Sequence, residues 1–246
     1  MTLLYIANNA IIRLGFLKNS KNEKKLYIFL KDFEEKKGET SFSCNDYIIE
    51  IKNGNLAELD LLLMKEEKNT IYIDSYEIKS SKKNFKLKNI DQLSKQGLFL
   101  LFLVMDGLLI KKGDLCIVDN KNIDNYVVRV KYLNGINENN LKSLNLKEKI
   151  DYLDKNSHLF YDIRIENKGN HYLVNFYGMF SNGTYYEIME IEKEKIKNYI
   201  DILSRNYKNI IKKFLLNNIR DNLNKKESLM NIIKNSISQN SFQDQG

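Results

Sequence analysis

Between residues 57 and 79 the chain spaces acids and a lysine as Ala57-Glu58-Leu59-Asp60-Leu61-Leu62-Leu63-Met64, a charged stretch, then Ile71-Tyr72-Ile73-Asp74-Ser75-Tyr76-Glu77-Ile78-Lys79. Acids and a lysine brought together on neighbouring strands are what magnesium-dependent phosphodiester hydrolysis needs. Magnesium takes oxygen ligands, usually one or two carboxylates plus waters and substrate phosphate, and Asp60 and Glu77 supply two carboxylates. The metal would lower the pKa of a bound water and offset charge developing on the phosphate, while Lys79 would orient the nucleophile or stabilise the transition state.

The elements that must position these groups are two strands and the turn between them. In a strand over residues 70–79 side chains alternate, so Glu77 and Lys79 share one face and Asp74 takes the other. Glu58 and Asp60 share a face of the preceding strand in the same way. The turn Lys65-Glu66-Glu67-Lys68-Asn69 folds the pair into a hairpin. A symmetric hairpin centred near Glu67 sets Asp60 opposite Asp74 and Glu77 opposite Ala57, so aligning Asp60 with Glu77 calls for a bulge or an uneven turn. The other reading of residues 55–65 is a helix carrying Glu58, which leaves Asp74 as the nearest acid to Glu77.

This pattern resembles the PD-(D/E)XK nuclease superfamily, in which an acid is followed after a gap by (D/E)-X-K on the next strand. Here the pattern is Asp60, sixteen intervening residues, and Glu77-Ile78-Lys79. Several branches of that superfamily carry a glutamine on the helix after the lysine strand. Gln92 in Ile90-Asp91-Gln92-Leu93-Ser94-Lys95-Gln96 matches it, with Gln96 one turn further along. The apolar run from Leu98 to Met105 is similar to the buried strand that follows such a helix. The proline of the motif is absent, and Leu59 precedes Asp60. The resemblance implies a restriction-endonuclease-like α+β fold and a magnesium or manganese ion held by Asp60 and Glu77. It also implies catalysis by Asp60, Glu77 and Lys79 with help from Glu58 and Gln92, on DNA, in restriction or phage defence.

Acid-X-Lys triplets are common in a chain that is 29% charged, and Glu50-Ile51-Lys52, with Asp46 before it, is another. A lone triplet of this kind reads as an exposed strand edge. What sets 77–79 apart is the spaced acid, the apolar strands on both sides and the glutamine helix.

Composition bounds the alternatives. A chain of 246 residues buries roughly 70% of its unfolded surface, enough for a stable core. Two cysteines, Cys44 and Cys116, give neither a disulfide framework nor zinc spacing. The N-terminal residues lack the pattern of a secretion signal, and the longest apolar run is too short to cross a bilayer, so the expectation is a soluble, cytoplasmic protein. No GxxxxGK[ST], GxGxxG or GxSxG motif is present, and His158 and His171 read as structural.

Along the chain, residues 1–53 read as a β-rich region and 54–190 as the nuclease-like core. That core is expected to contain a strand over 126–132, a short helix over 144–153 and a three-strand meander over 159–165, 172–180 and 184–191. Residues 191–246 read as a basic amphipathic helical extension, with a second short helix over 229–237. The fold class is therefore α+β, a mixed sheet with a C-terminal helical extension. Of the net charge of +7, a surplus of six lies in residues 191–236, which hold eleven basic against five acidic residues. Lys208, Lys212, Lys213 and Arg220 form the expected phosphate-contacting face, and a partner protein or homodimer through the same helices is the alternative.

Overall fold

The computed structural model describes residues 11–14, 42–50, 55–67, 69–79, 87–105, 124–134, 143–180, 183–219 and 227–240, the first three stretches as backbone and strand pairing alone. Of the expected β-rich region 1–53, all but 11–14 and 42–50 lies outside them. The elements are β1 (Ile11–Leu14), β2 (Phe42–Glu50), β3 (Asn55–Glu67), β4 (Thr70–Lys79), α1 (Leu87–Met105), β5 (Asn125–Asn134), α2 (Leu146–Asn156), β6 (Ser157–Asn167), β7 (His171–Phe180), β8 (Gly183–Glu192), a 3-10 turn (Lys193–Lys195), α3 (Ile196–Ile219) and α4 (Leu229–Asn240).

The strands form one mixed sheet in chain order, β1 to β8. Every pairing is antiparallel except β4 with β5, which are parallel from Thr70↔Asn125 to Lys79↔Asn134. Two parallel neighbours cannot be joined by a tight turn, and α1 lies in the segment that connects them. The expected α+β class is the observed one. Strands β4 to β8 form the part of the sheet whose side chains are described, and their alternation decides what lies on each face.

One face carries Tyr126, Val128 and Val130 of β5, Tyr161, Ile163 and Ile165 of β6, Val174 and Phe176 of β7, and Met189 and Ile191 of β8, all buried. This face meets α1 and α3. Phe214 of α3 reaches 0% exposure among the rings of Phe176, Phe180 and Tyr185, and Phe102 of α1 packs on Tyr199 of α3. The C-terminal helices therefore share the main hydrophobic core. Their apolar stripe supplies it at Ile196, Leu203, Ile210, Ile211 and Phe214. Asn206 interrupts α3 with a non-helical backbone (φ −120°, ψ 15°). At α4 the two oxygens of Glu187 accept hydrogen bonds from the backbone N–H groups of Leu229 and Met230 at 2.8 and 3.3 Å, placing a carboxylate where the helix dipole favours it.

The run from Leu98 to Met105 corrects the expectation of a strand, since it is the second half of α1. A short continuous apolar run has no periodicity with which to choose between a buried strand and a buried helix. The helix is apolar on all sides here because it is wedged between the sheet and α3. The first half of α1 contains Gln92 and Gln96, as expected of a glutamine helix.

Residues 55–67 are a strand, which removes the helical alternative. The helix expected at 144–153 spans Leu146–Asn156, opened by a capping box in which Asn145 and Glu148 hydrogen-bond each other's backbone N–H. No helix among the described residues is long and apolar enough to cross a membrane.

Candidate functional site

The hairpin of β3 and β4 turns tightly, with Glu67 paired to Thr70. From there the register runs without interruption through Leu63↔Asp74 to Leu61↔Tyr76. The expected symmetric hairpin, with Asp60 opposite Asp74, is therefore corrected. The turn sits between residues 67 and 70 rather than being centred on Glu67, a displacement that moves every partner. One step beyond Leu61↔Tyr76 in the same register, position 60 falls opposite position 77. No bulge is needed for that alignment.

Glu77 is 0% exposed, as are Ser75 two residues before it and Gln96 on α1. Strand alternation puts Ser75 and Glu77 on the same face of β4, and α1 covers that face. The Gln96 amide joins them: its Nε2 donates to Glu77 Oε2 at 2.7 Å, and its Oε1 accepts from the Ser75 hydroxyl at 3.3 Å. The glutamine that reaches Glu77 is thus Gln96, not Gln92, which lies one turn earlier and is half-buried. Asp60, Glu58 and Lys79 lie in β3 and β4, with their side chains outside the described residues.

The opposite face of β4 carries a second polar group of residues that the sequence reading did not single out. Asp74 accepts from Arg129 Nε and Nη2 at 2.5 and 2.7 Å and from Lys131 Nζ at 3.1 Å. Lys131 also donates to Asp154 of α2 and to the hydroxyl of Tyr76, and Tyr76 in turn donates to Asp154 at 2.6 Å. The parallel register explains the assembly, because Asp74 is level with Arg129 and Tyr76 with Lys131. The expectation that Asp74 and Glu77 point to opposite faces holds. The available signal was Arg129-Val130-Lys131, two cations at strand spacing, beside Asp74-Ser75-Tyr76 with the same spacing.

Electrostatics fix the state of this group. Burial, then the charge of Asp74 and the hydrogen bond to Asp154, push the Tyr76 phenol far up, so it remains a donor. Burial alone would raise the Asp154 carboxyl. Hydrogen bonds from Lys131 and Tyr76, with the charges of Lys131 and Arg129, outweigh that effect and hold it below its ordinary value. A carboxyl depressed in the folded state stabilises the fold above its unfolded pKa of about 3.9 and loses that contribution as pH falls through the folded value. Acid unfolding followed by circular dichroism should therefore show a loss of stability below about pH 4 that is smaller in Asp154→Asn than in the parent chain.

Of the residues expected to contact nucleic acid, Lys208 and Lys212 are exposed on α3. Lys213 is exposed too but ion-paired to Glu227 at 2.8 Å, and Arg220 lies outside the described residues. Among the described residues no group of three His, Cys, Asp or Glu side chains is placed to hold a metal ion. A site built on the register of β3 and β4 would rest on the carboxylates of Asp60 and Glu77.

Fold and site together define a mixed-sheet α+β protein with a glutamine-anchored acid beneath its first long helix. Comparisons with protein-family models, with curated proteins and with solved structures gave no match.

Proposed function

We propose that the chain is a magnesium-dependent endonuclease of PD-(D/E)XK type, with a restriction-endonuclease-like core, hydrolysing DNA phosphodiester bonds in restriction or phage defence. The observation that supports this reading is the unbroken register of β3 and β4 from Glu67↔Thr70 to Leu61↔Tyr76, which, continued one step, would set position 60 opposite position 77. The glutamine anchoring Glu77 from the following helix supports it further.

The residues fit a hard divalent cation, because Asp60 and Glu77 are oxygen donors and two carboxylates are the usual protein share of a magnesium site. A bound magnesium or manganese ion would supply an acidified water and offset charge on the phosphate. Lys79, two residues along the same strand face as Glu77, orients the nucleophile or stabilises charge, with Glu58 assisting. Lys208 and Lys212, exposed on α3, contribute sequence-independent contacts to DNA phosphates.

A second reading is favoured by the complete burial of Glu77 and Gln96. In it the chain is a non-catalytic component of a mobile element, defence system or phage assembly that binds nucleic acid or a partner protein, and the amide-bonded acid is a packing device. Magnesium titration of the folded protein separates the two. The nuclease reading expects saturable binding that is lost in Glu77→Gln, whereas binding absent or indifferent to that change favours the second reading.

A further inference from the structure

We infer that the outer face of β6 to β8 is a homodimer interface, on which a second copy of the chain stacks about a two-fold axis; this is independent of the nuclease reading. The residues of the face follow from the register. Asp162 of β6 is level with Tyr177 of β7 and Tyr186 of β8, Arg164 is level with Asn175 and Ile188, and Glu166 with Leu173 and Glu190. Strand alternation turns all of them away from the buried face that α1 and α3 cover. Of the four exposed large hydrophobic side chains among the described residues, three lie on this face, Tyr186 and Ile188 at 58% exposure and Met179 at 43%. α2 meets this side of the sheet elsewhere, at Tyr76 and Lys131. Clustered apolar exposure rimmed by polar residues marks an interaction site, and tyrosine, methionine and arginine are the residues enriched in protein interfaces.

The charges choose the occupant. Three acids on the face, Asp162, Glu166 and Glu190, disfavour nucleic acid, whose contacts are made with phosphates. Arg164 and Glu190 flank β7 diagonally, since Arg164 is level with Ile188, two residues from Glu190. The Arg164 side chain is 67% exposed and touches Asp162 only at 3.5 Å. Glu190 is exposed and has no partner among the described residues, whereas Glu166 is ion-paired to Lys168 at 2.7 Å. A two-fold axis lying in an interface sets a patch against itself, so a cation on one flank and an acid on the other meet twice. Arg164 of each copy then meets Glu190 of the other, and the apolar centre around Ile188 is buried between two sheets packed face to face. The C-terminal helices, by contrast, turn their apolar stripe into the core of their own chain.

The test is sedimentation equilibrium of the full-length chain without nucleic acid, with circular dichroism to confirm that each variant is folded. The parent is expected to form a dimer of twice the 29.0 kDa chain mass in the micromolar range. Arg164→Glu and Glu190→Arg each set like charges across the interface twice, and each should weaken the dimer about tenfold or more. The double variant restores two attractive pairs and should return to within about threefold of the parent. Ile188→Asp should leave a folded monomer. A parent chain that stays monomeric throughout the micromolar range overturns the inference, whether the face then meets another protein or none. So does a dimer indifferent to the single charge changes or to Ile188→Asp, or a double variant no tighter than the single ones. A dimer broken instead by Leu216→Glu would place the contact on α3 and likewise overturn it. None of these outcomes bears on metal binding or DNA cleavage, so the nuclease reading stands or falls separately.

Discussion

Asp74→Ala is expected to remove about 3–5 kcal/mol of folding stability, the usual loss when one partner of a buried ion pair is deleted. Asp74 is 7% exposed and takes both Arg129 and Lys131 on its two oxygens. Without it, Lys131 stays 6% exposed beside the Arg129 guanidinium and keeps its ion pair with Asp154. The cost is that of stranding charge in a low-dielectric setting rather than the worth of three hydrogen bonds. The double variant Asp74→Leu with Arg129→Met should therefore recover a large part of the loss. Urea unfolding of the three proteins measures this, and a single-variant loss under about 1 kcal/mol would show the group to be well hydrated.

Gly97→Ala is expected to destabilise by about 3 kcal/mol, although alanine is the better helix former by about 1 kcal/mol. Gly97 lies where α1 crosses β6, and a methyl group there would overlap the ring of Tyr161, with Cε2 only 2.7 Å away. The ring has no room to withdraw. Its far edge lies against Gly178, where an added carbon would sit 2.9 Å from Cε1, and its hydroxyl is 2.9 Å from Ser94 Oγ in a buried hydrogen bond. Gly97→Ala combined with Tyr161→Leu should cost clearly less than the sum of the two changes, because the second relieves the overlap made by the first. Thermal unfolding with strict additivity would place the strain elsewhere. Gln96 is the neighbour of Gly97, so the close approach that the glycine permits also brings the amide down onto Ser75 and Glu77.

Much of this arrangement was legible where sequence pattern and physics point the same way. The meander β6 to β8, the amphipathic stripe of α3 and the opposite facing of Asp74 and Glu77 all follow from periods of two or of 3.6. The register of β3 on β4 was not legible, because it depends on where a charged stretch, Lys65 to Asn69, chooses to turn, and every residue in it tolerates either choice. The run from 98 to 105 gave no period to read. Choosing Gln96 over Gln92 needed the three-dimensional crossing of α1 on β4, and the Arg129, Lys131 and Asp154 group needed the parallel pairing of β4 with β5. Both are long-range facts that local spacing does not encode.

The nuclease proposal requires that Asp60, Glu77 and Lys79 form one metal-dependent hydrolytic site. Cleavage of supercoiled DNA in the presence of magnesium tests it most directly, comparing the parent chain with Asp60→Ala and Lys79→Ala. Nicking or linearisation by the parent chain that requires the metal and disappears in both variants is the predicted result. Cleavage that survives both substitutions, or a folded parent chain that leaves the DNA intact across magnesium and manganese concentrations, would contradict it.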